Sequence, residues 1–475
     1  MIFASLIFLY LFLPANLIIY FLTKNSKARN LVLLGFSLFF YAWGEPLWVF
    51  VMMLTALADY LFGLLIEGYR GKWQAKLGLV LSLVINLGLL VTVKYAGFIT
   101  ESLNSLFVLC RLPVLLSVPH IALPLGISFY TFQTLTYVID VYRGRTAAQH
   151  SYPNYLMYLS LYPQLVAGPI VRYASVAAEI DERSSTLEDT AYGLLRFCIG
   201  LGKKVILANT AGALCTQFLD GDLAVLSTAG AWLGVLLFSL QIYYDFSGYS
   251  DMAIGLGRIF GFHYYENFNY PYISHSAAEF WRRWHISLGT FFRDYVYIPL
   301  GGNRRHVYLN LLIVWFLTGL WHGASWNFIL WGLWFGFFII LERLFLKKVL
   351  DRIPRVFSHL YTLLIVVIGW VFFYFTDLSQ AITVLSRMFG AAPRLGLDAL
   401  EGARAMNYLF FMIAAVIGCL PVFPKIRSVL TNRDGANYAP GLVIAWEILA
   451  CAALLAVSTA MLVGESYNPF LYFRF

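Results

Sequence analysis

Charge is what this sequence has least of. Of its 475 residues only 12% are Asp, Glu, Lys or Arg, against 60% hydrophobic and 18% aromatic. Soluble domains carry about a quarter charged residues, and a mean hydropathy of +0.72 leaves too little polar surface to coat a globule. That scarcity excludes a soluble enzyme, a nucleic-acid reader and a disordered scaffold. Cysteine is sparse as well. Cys110, Cys198, Cys215, Cys419 and Cys451 are scattered through apolar runs, with neither metal-type pairs nor a disulfide framework. An internal repeat is also lacking, as are a Walker loop, a glycine-rich dinucleotide turn, an HExxH motif and any hydrophilic segment long enough for a separate domain. No metal and no tightly bound cofactor are expected.

What is present is a succession of apolar runs. Residues 1–22 are apolar with no basic segment before them, and Lys24, Lys27 and Arg29 follow. This predicts a first span with its N-terminus outside rather than a signal peptide. Further runs lie near 31–43, 46–66, 76–98, 121–139, 156–171, 191–217, 227–260, 309–346, 358–376, 406–424 and 443–463. A helix needs about 20 residues to cross the hydrocarbon, so the runs predict roughly ten to twelve spans, some re-entrant. They do not alternate as barrel strands would. The predicted class is an all-α polytopic membrane protein. The net charge of +8 resides in clusters between runs, Arg70/Lys72/Lys76, Arg143/Arg145, Arg304/Arg305 and Lys347/Lys348/Arg352/Arg355, which are placed on the cytoplasmic side. Lys203 and Lys204 interrupt an apolar run and predict a kinked or interfacial helix with snorkelling lysines.

The few polar residues concentrate between 241 and 326. Asp245 and Asp251 fall in an apolar span, with Ser247, Gly248, Tyr249 and Ser250 between them. Intramembrane carboxylates are costly. They are read either as hydrogen-bonding across packed helices or as ordering a polar funnel. His322 lies deep in the 309–346 run, in Leu-Trp-His-Gly-Ala-Ser-Trp. Burial favours its neutral, proton-accepting form, and Gly323, Ala324 and Ser325 remove bulk beside it, as a thin ligand would require. His285 follows Trp-Arg-Arg-Trp. Arg282, Arg283, Arg293, Arg304 and Arg305 around it suit either lipid headgroups or the phosphates of a nucleotide-like acyl donor.

Taken in order, these segments resemble the bacterial membrane-bound O-acyltransferases, in particular the branch that O-acetylates alginate. The resemblance rests on Leu-Pro-Leu-Gly-Ile-Ser-Phe-Tyr-Thr-Phe-Gln at 123–133, Tyr-Pro-Gln-Leu-Val-Ala-Gly-Pro-Ile-Val-Arg at 162–172 and Asp-Phe-Ser-Gly-Tyr-Ser-Asp-Met-Ala at 245–253. It continues through Asn-Phe-Asn-Tyr-Pro-Tyr at 267–272, Trp-Arg-Arg-Trp-His at 281–285, Trp-His-Gly at 321–323 and Tyr-Asn-Pro-Phe-Leu-Tyr-Phe-Arg-Phe at 467–475. It implies one integral domain over 1–475, with a catalytic core at about 120–345 and C-terminal helices over 356–475. Its architecture would be about eleven helices with re-entrant segments around a central tunnel.

By the same resemblance, His322 is the essential histidine and His285 its supporting polar partner. Arg282, Arg283, Arg293, Asp245, Asp251, Ser247, Tyr249, Trp321 and Asn327 are candidates for donor binding or for lining the tunnel. His322 would act as general base or as acyl-carrying nucleophile, and Trp321, Trp326, Asn327 or His285 would stabilise the oxyanion. The implied donor is acetyl-CoA on the cytoplasmic side of a bacterial inner membrane. The implied partner is an extracytoplasmic esterase-like acetyltransferase of the SGNH type. D-alanyl transfer from a carrier-protein thioester is the alternative within the family, and a transporter or flippase the alternative outside it. One departure stands out: Tyr374 occupies the position after Gly-Trp-Val-Phe-Phe where an arginine is expected.

Overall fold

In the computed structural model, which describes residues 1–119, 121–166, 168–431, 440–464 and 470–471, the chain forms helices throughout, with no strand among the described residues. The protein is an all-α polytopic membrane protein. Of the motif at 467–475, only Phe470 and Leu471 are described, and Ala167 of the 162–172 motif lies outside the described residues. By length and composition, five described helices suffice to cross a membrane: Trp48–Gly68, Trp73–Leu109, Trp326–Leu350, Arg355–Tyr374 and Val443–Gly464. Ala399–Asn407 and Leu409–Gly418, bent by 57°, make a sixth if counted as one span.

That is fewer than the ten to twelve spans the apolar runs predict, for a physical reason. A helix packed on all sides by protein is as apolar as one facing lipid. Ile127–Tyr142 is 16 residues long and buried almost all round, and the apolar Phe8–Leu22 and Val307–His322 are likewise short. Thr228–Ile259 has the length, 32 residues, but carries Gln241, Asp245, Asp251 and Arg258.

The chain divides into two compact units, Met1–Ala191 with Leu256–Tyr265, and Tyr192–Gly255 with Glu266–Phe475. In the first unit, spans Trp48–Gly68 and Trp73–Leu90 are tied by a buried carboxylate. Asp59 accepts from Ser82 Oγ at 2.6 Å and from Asn86 Nδ2 at 3.0 Å. Such a group is tolerated in an apolar span because its lone pairs are filled there.

In the second unit, Thr228–Ile259 packs backbone to backbone against the segment before it. A Cβ on Gly200 would come within 2.5 Å of the Gly248 carbonyl oxygen, so only glycine permits this approach. The close approach brings the two lysines onto the carboxylates. Lys204 Nζ lies 2.6 Å from Asp245, and Lys203 Nζ lies 2.6 Å from Asp251. Arg196 pairs with Asp251 and with Glu266, at 2.6 Å each. The lysines do not snorkel. A π-helical stretch, Lys203–Ala208, bulges the helix so that both turn inward, and Lys204 is 4% exposed.

Removing one member of a buried pair costs more than the pair contributes, because the other charge stays buried. Lys204→Met is expected to destabilise the protein by about 3–5 kcal/mol in detergent unfolding, and adding Asp245→Leu is expected to recover most of the loss. Equal stability of the two variants would refute the pairing.

Candidate active site

The site is built on a helical hairpin. Val307–His322 ends where Gly323 turns to extended backbone (φ −165°), and Trp326–Leu341 returns beside it. Gly319 and Gly332 let the two helices touch: a Cβ on Gly319 would clash with the Phe328 carbonyl, and one on Gly332 with that of Trp315. His322 is therefore held at the closed end of the hairpin, as the last residue of its helix. It is 6% exposed. Its ring meets the edges or faces of Trp321 and Trp331 at 4.8 Å each and of Phe373 at 5.3 Å, all near perpendicular. The space that the missing side chain at Gly323 was expected to leave for a thin ligand is taken by the Phe328 ring. Gly323 serves packing.

His285 belongs to a second, irregular segment. It separates the short helices Ala277–Arg283 and Ile286–Phe292 and adopts a left-handed backbone, φ 45° and ψ 55°. A non-glycine residue there is uncommon and costs strain, and such residues cluster at functional sites. The conformation is held from outside. Asn267 accepts from the Ile286 amide through its carbonyl (2.9 Å) and from the Ser287 amide and hydroxyl through Oδ1 (3.1 and 2.9 Å), while its Nδ2 donates to Ser250 Oγ (3.1 Å). The motif Asn-Phe-Asn-Tyr-Pro-Tyr is in this respect a clamp on the His285 turn. Burial pushes the His285 imidazole down to about 3.

Trp321 joins the two histidines, its ring 4.8 Å from His322 and 6.0 Å from His285. The structure thus brings His322, His285 and Trp321 together. The other sequence candidates fall elsewhere. Asp245 and Asp251 lie in the ion-pair network, which supports the packing reading of these aspartates, and Asp245 also accepts the Leu471 amide at 2.8 Å. Ser247 is buried on the same helix, and Tyr249 stacks on Phe470 at 5.0 Å. Asn327 donates its amide to the Phe375 carbonyl, tying the hairpin to the end of Arg355–Tyr374. Trp326 is 56% exposed. Arg282 is exposed, Arg293 is exposed and pairs with Asp294, and Arg283 is engaged by Glu279 and the Asn269 carbonyl. Where an arginine was expected, the Tyr374 hydroxyl donates to Asp220.

Glu342 is the residue that sequence reading missed. On the span that follows His322, its two carboxylate oxygens accept the Ala277 and Ala278 amides at 2.6 and 3.0 Å, and Tyr361 donates to it at 3.2 Å. These amides open the helix that leads to His285, and a carboxylate there fills otherwise unpartnered donors. Glu342 thereby couples the two histidine-bearing segments. Its only sequence signal is that it is the first charge after a long apolar run.

With this geometry in place, the relatives are informative. Residues 143–381 match the model of the membrane-bound O-acyltransferase family. The chain is 39% identical to the probable alginate O-acetylase of Pseudomonas putida over the full length of both. It is 30% identical to the peptidoglycan O-acetyltransferase of Helicobacter pylori over 100% of this chain and 98% of that one. The chain belongs to the membrane-bound O-acyltransferase family. It is an acyltransferase. The match to the teichoic acid D-alanyltransferase of Bacillus subtilis is 31% over 44% of this chain and 56% of that one. Both histidines of this acyltransferase lie within the matched family region.

Two outcomes are expected. Glu342→Gln keeps one accepting oxygen and sets an NH2 against a backbone N–H. It should cost about 1–3 kcal/mol and lower kcat of acyl transfer more than it raises KM, with Glu342→Asp recovering part of kcat. A kcat equal to wild type would refute the coupling. For His285, the fold favours the neutral imidazole, so its contribution is complete above about 6.5 and is lost as pH falls toward about 3. In pH-dependent unfolding, His285→Gln should flatten that part of the curve; an unchanged slope would contradict it.

Proposed function

We propose that this acyltransferase moves an acetyl group from acetyl-CoA on the cytoplasmic side of a bacterial inner membrane, through a tunnel in the protein, to a hydroxyl acceptor on the outer side. The end use is O-acetylation of a cell-surface polysaccharide. The observation that carries this reading is the buried His322, boxed by Trp321, Trp331 and Phe373 and reaching His285 through Trp321. An apolar, water-poor setting suits a thioester, which water would otherwise hydrolyse.

In this mechanism His322 takes the proton of the acceptor hydroxyl as its oxygen attacks the thioester carbonyl carbon. The carbonyl oxygen becomes an oxyanion, which the neutral His285 or the Trp321 indole N–H stabilises by hydrogen bonding. Collapse re-forms the carbonyl, breaks the carbon–sulfur bond and releases the CoA thiolate, which recovers the proton from His322. The exposed Arg282 is available to donor phosphates, whereas Arg293 is held by Asp294. The acceptor hydroxyl would belong to an extracytoplasmic esterase-like partner of the SGNH type, which completes delivery to the glycan.

Acetyl is preferred to D-alanyl because relatives named as O-acetylating proteins align along the whole chain, whereas the D-alanyltransferase aligns over less than half of it. The test is reconstitution with radiolabelled acetyl-CoA and a hydroxyl acceptor, with D-alanyl carrier protein as competing donor. Transfer of label is expected, reduced about 10²–10⁴-fold in His322→Ala with the fold intact. Equal transfer by wild type and variant would end the histidine mechanism, and preferential use of the D-alanyl donor would end the acetyl assignment.

A further inference from the structure

One helix in the first unit starts with charge of the wrong sign. Trp73–Leu90 has Lys72 at its N-cap, no side-chain cap bond and no acidic residue in its first turn. A helix start already carries partial positive charge and N–H groups without intrahelical partners. Arg70, Lys72 and Lys76 add three full positive charges around it. Such an arrangement is unfavourable by itself and becomes favourable once an anion sits among them.

The structure offers the anion a place. A cavity of about 480 Å³, open to the surface, is lined by Ile66, Arg70, Lys72, Trp73, Lys76 and Tyr142, with no carboxylate among the described residues that line it. Nearby acids are committed elsewhere. Glu67 accepts the Ala148 amide at 2.9 Å and contacts His150 Nε2 at 2.9 Å, and Asp140 faces Arg145 at 3.5 Å. Arg70 is steadied by the Val141 carbonyl at 3.3 Å.

We propose that this cavity is a phosphate-binding site whose occupant is the headgroup of an anionic phospholipid. The position favours a lipid over a soluble phosphate. Residues 69–72 join two helices long enough to cross the membrane, which places the cavity at the level of the headgroups. Trp73 is 70% exposed and Tyr142 39%, the side chains that sit at a membrane–water boundary. Ile66 and the Trp73 ring give the glycerol and first methylenes an apolar wall that a free phosphate does not need. The proposal is independent of the acyl-transfer reading.

The test is native mass spectrometry of the full-length protein, titrated with phosphatidylglycerol, with phosphatidylcholine and, separately, with free CoA. Wild type should retain phosphatidylglycerol over phosphatidylcholine. The Lys72→Gln/Lys76→Gln double variant should lose about tenfold or more of that affinity with CoA binding unchanged, and Lys72→Arg/Lys76→Arg should retain it. Equal binding of the two lipids, or an unchanged glutamine variant, overturns the site. Loss of CoA binding with phosphatidylglycerol unaffected assigns the site to a soluble phosphate and overturns the lipid. Loss in the arginine variant as well overturns the electrostatic basis.

Discussion

Among the described residues, each buried carboxylate is answered by another group of the chain. Water is not at hand to solvate Asp245, 1% exposed, or Asp251, 5% exposed, and an unpaired carboxylate in so apolar a setting costs several kcal/mol. Lys204, Lys203 and Arg196 supply the compensation, and the glycine contact between residues 200 and 248 brings them close enough to do so. The rule recurs across the molecule. Asp59 is filled by Ser82 and Asn86, Glu342 by two helix-opening amides, and Glu401 by the Ser227 hydroxyl and the Asp398 amide.

This requirement also shapes the candidate active site. A catalytic imidazole in a bilayer protein needs a dry pocket and a defined direction, and neither is a property of histidine itself. The hairpin, with Trp321 and Trp331, and the helix Arg355–Tyr374, with Phe373, supply the first by enclosing His322 among three aromatic rings. For His285 direction comes from two anchors: Asn267 holds the left-handed turn, and Glu342 holds the start of the helix before it. Because Glu342 rides on the span that begins just after His322, the geometry of one histidine is linked to that of the other.

Much of this was legible in the chain. The scarcity of charge places it in a membrane, and the order of motifs around Asp245, Asn267, His285 and His322 points to its family. Other features were not, because apolarity along a sequence does not say what covers a residue. The run at 121–139 read as lipid-crossing, yet Ile127–Tyr142 is a buried helix of 16 residues, and the run at 309–346 turns at Gly323 and keeps one crossing helix, Trp326–Leu350. Lysines 203 and 204 read as reaching outward, since flexible stems near an apolar run usually do, but a π-bulge turns them in. Asn327 sits near His322 in sequence, yet its amide is bonded to the Phe375 carbonyl.

The sequence alone determined the solvent, the helical class and the family, and singled out the two histidines as candidates, because composition and local motif order carry that information without reference to long-range contacts. The tertiary structure decided which charges neutralise which, that Gly323 is filled by Phe328, that Trp321 spans the two imidazoles and that Glu342 couples their segments. These depend on residues far apart in the chain meeting at distances of a few ångströms. Pairing energies inside an apolar protein vary steeply over that range, and only the packed fold sets it.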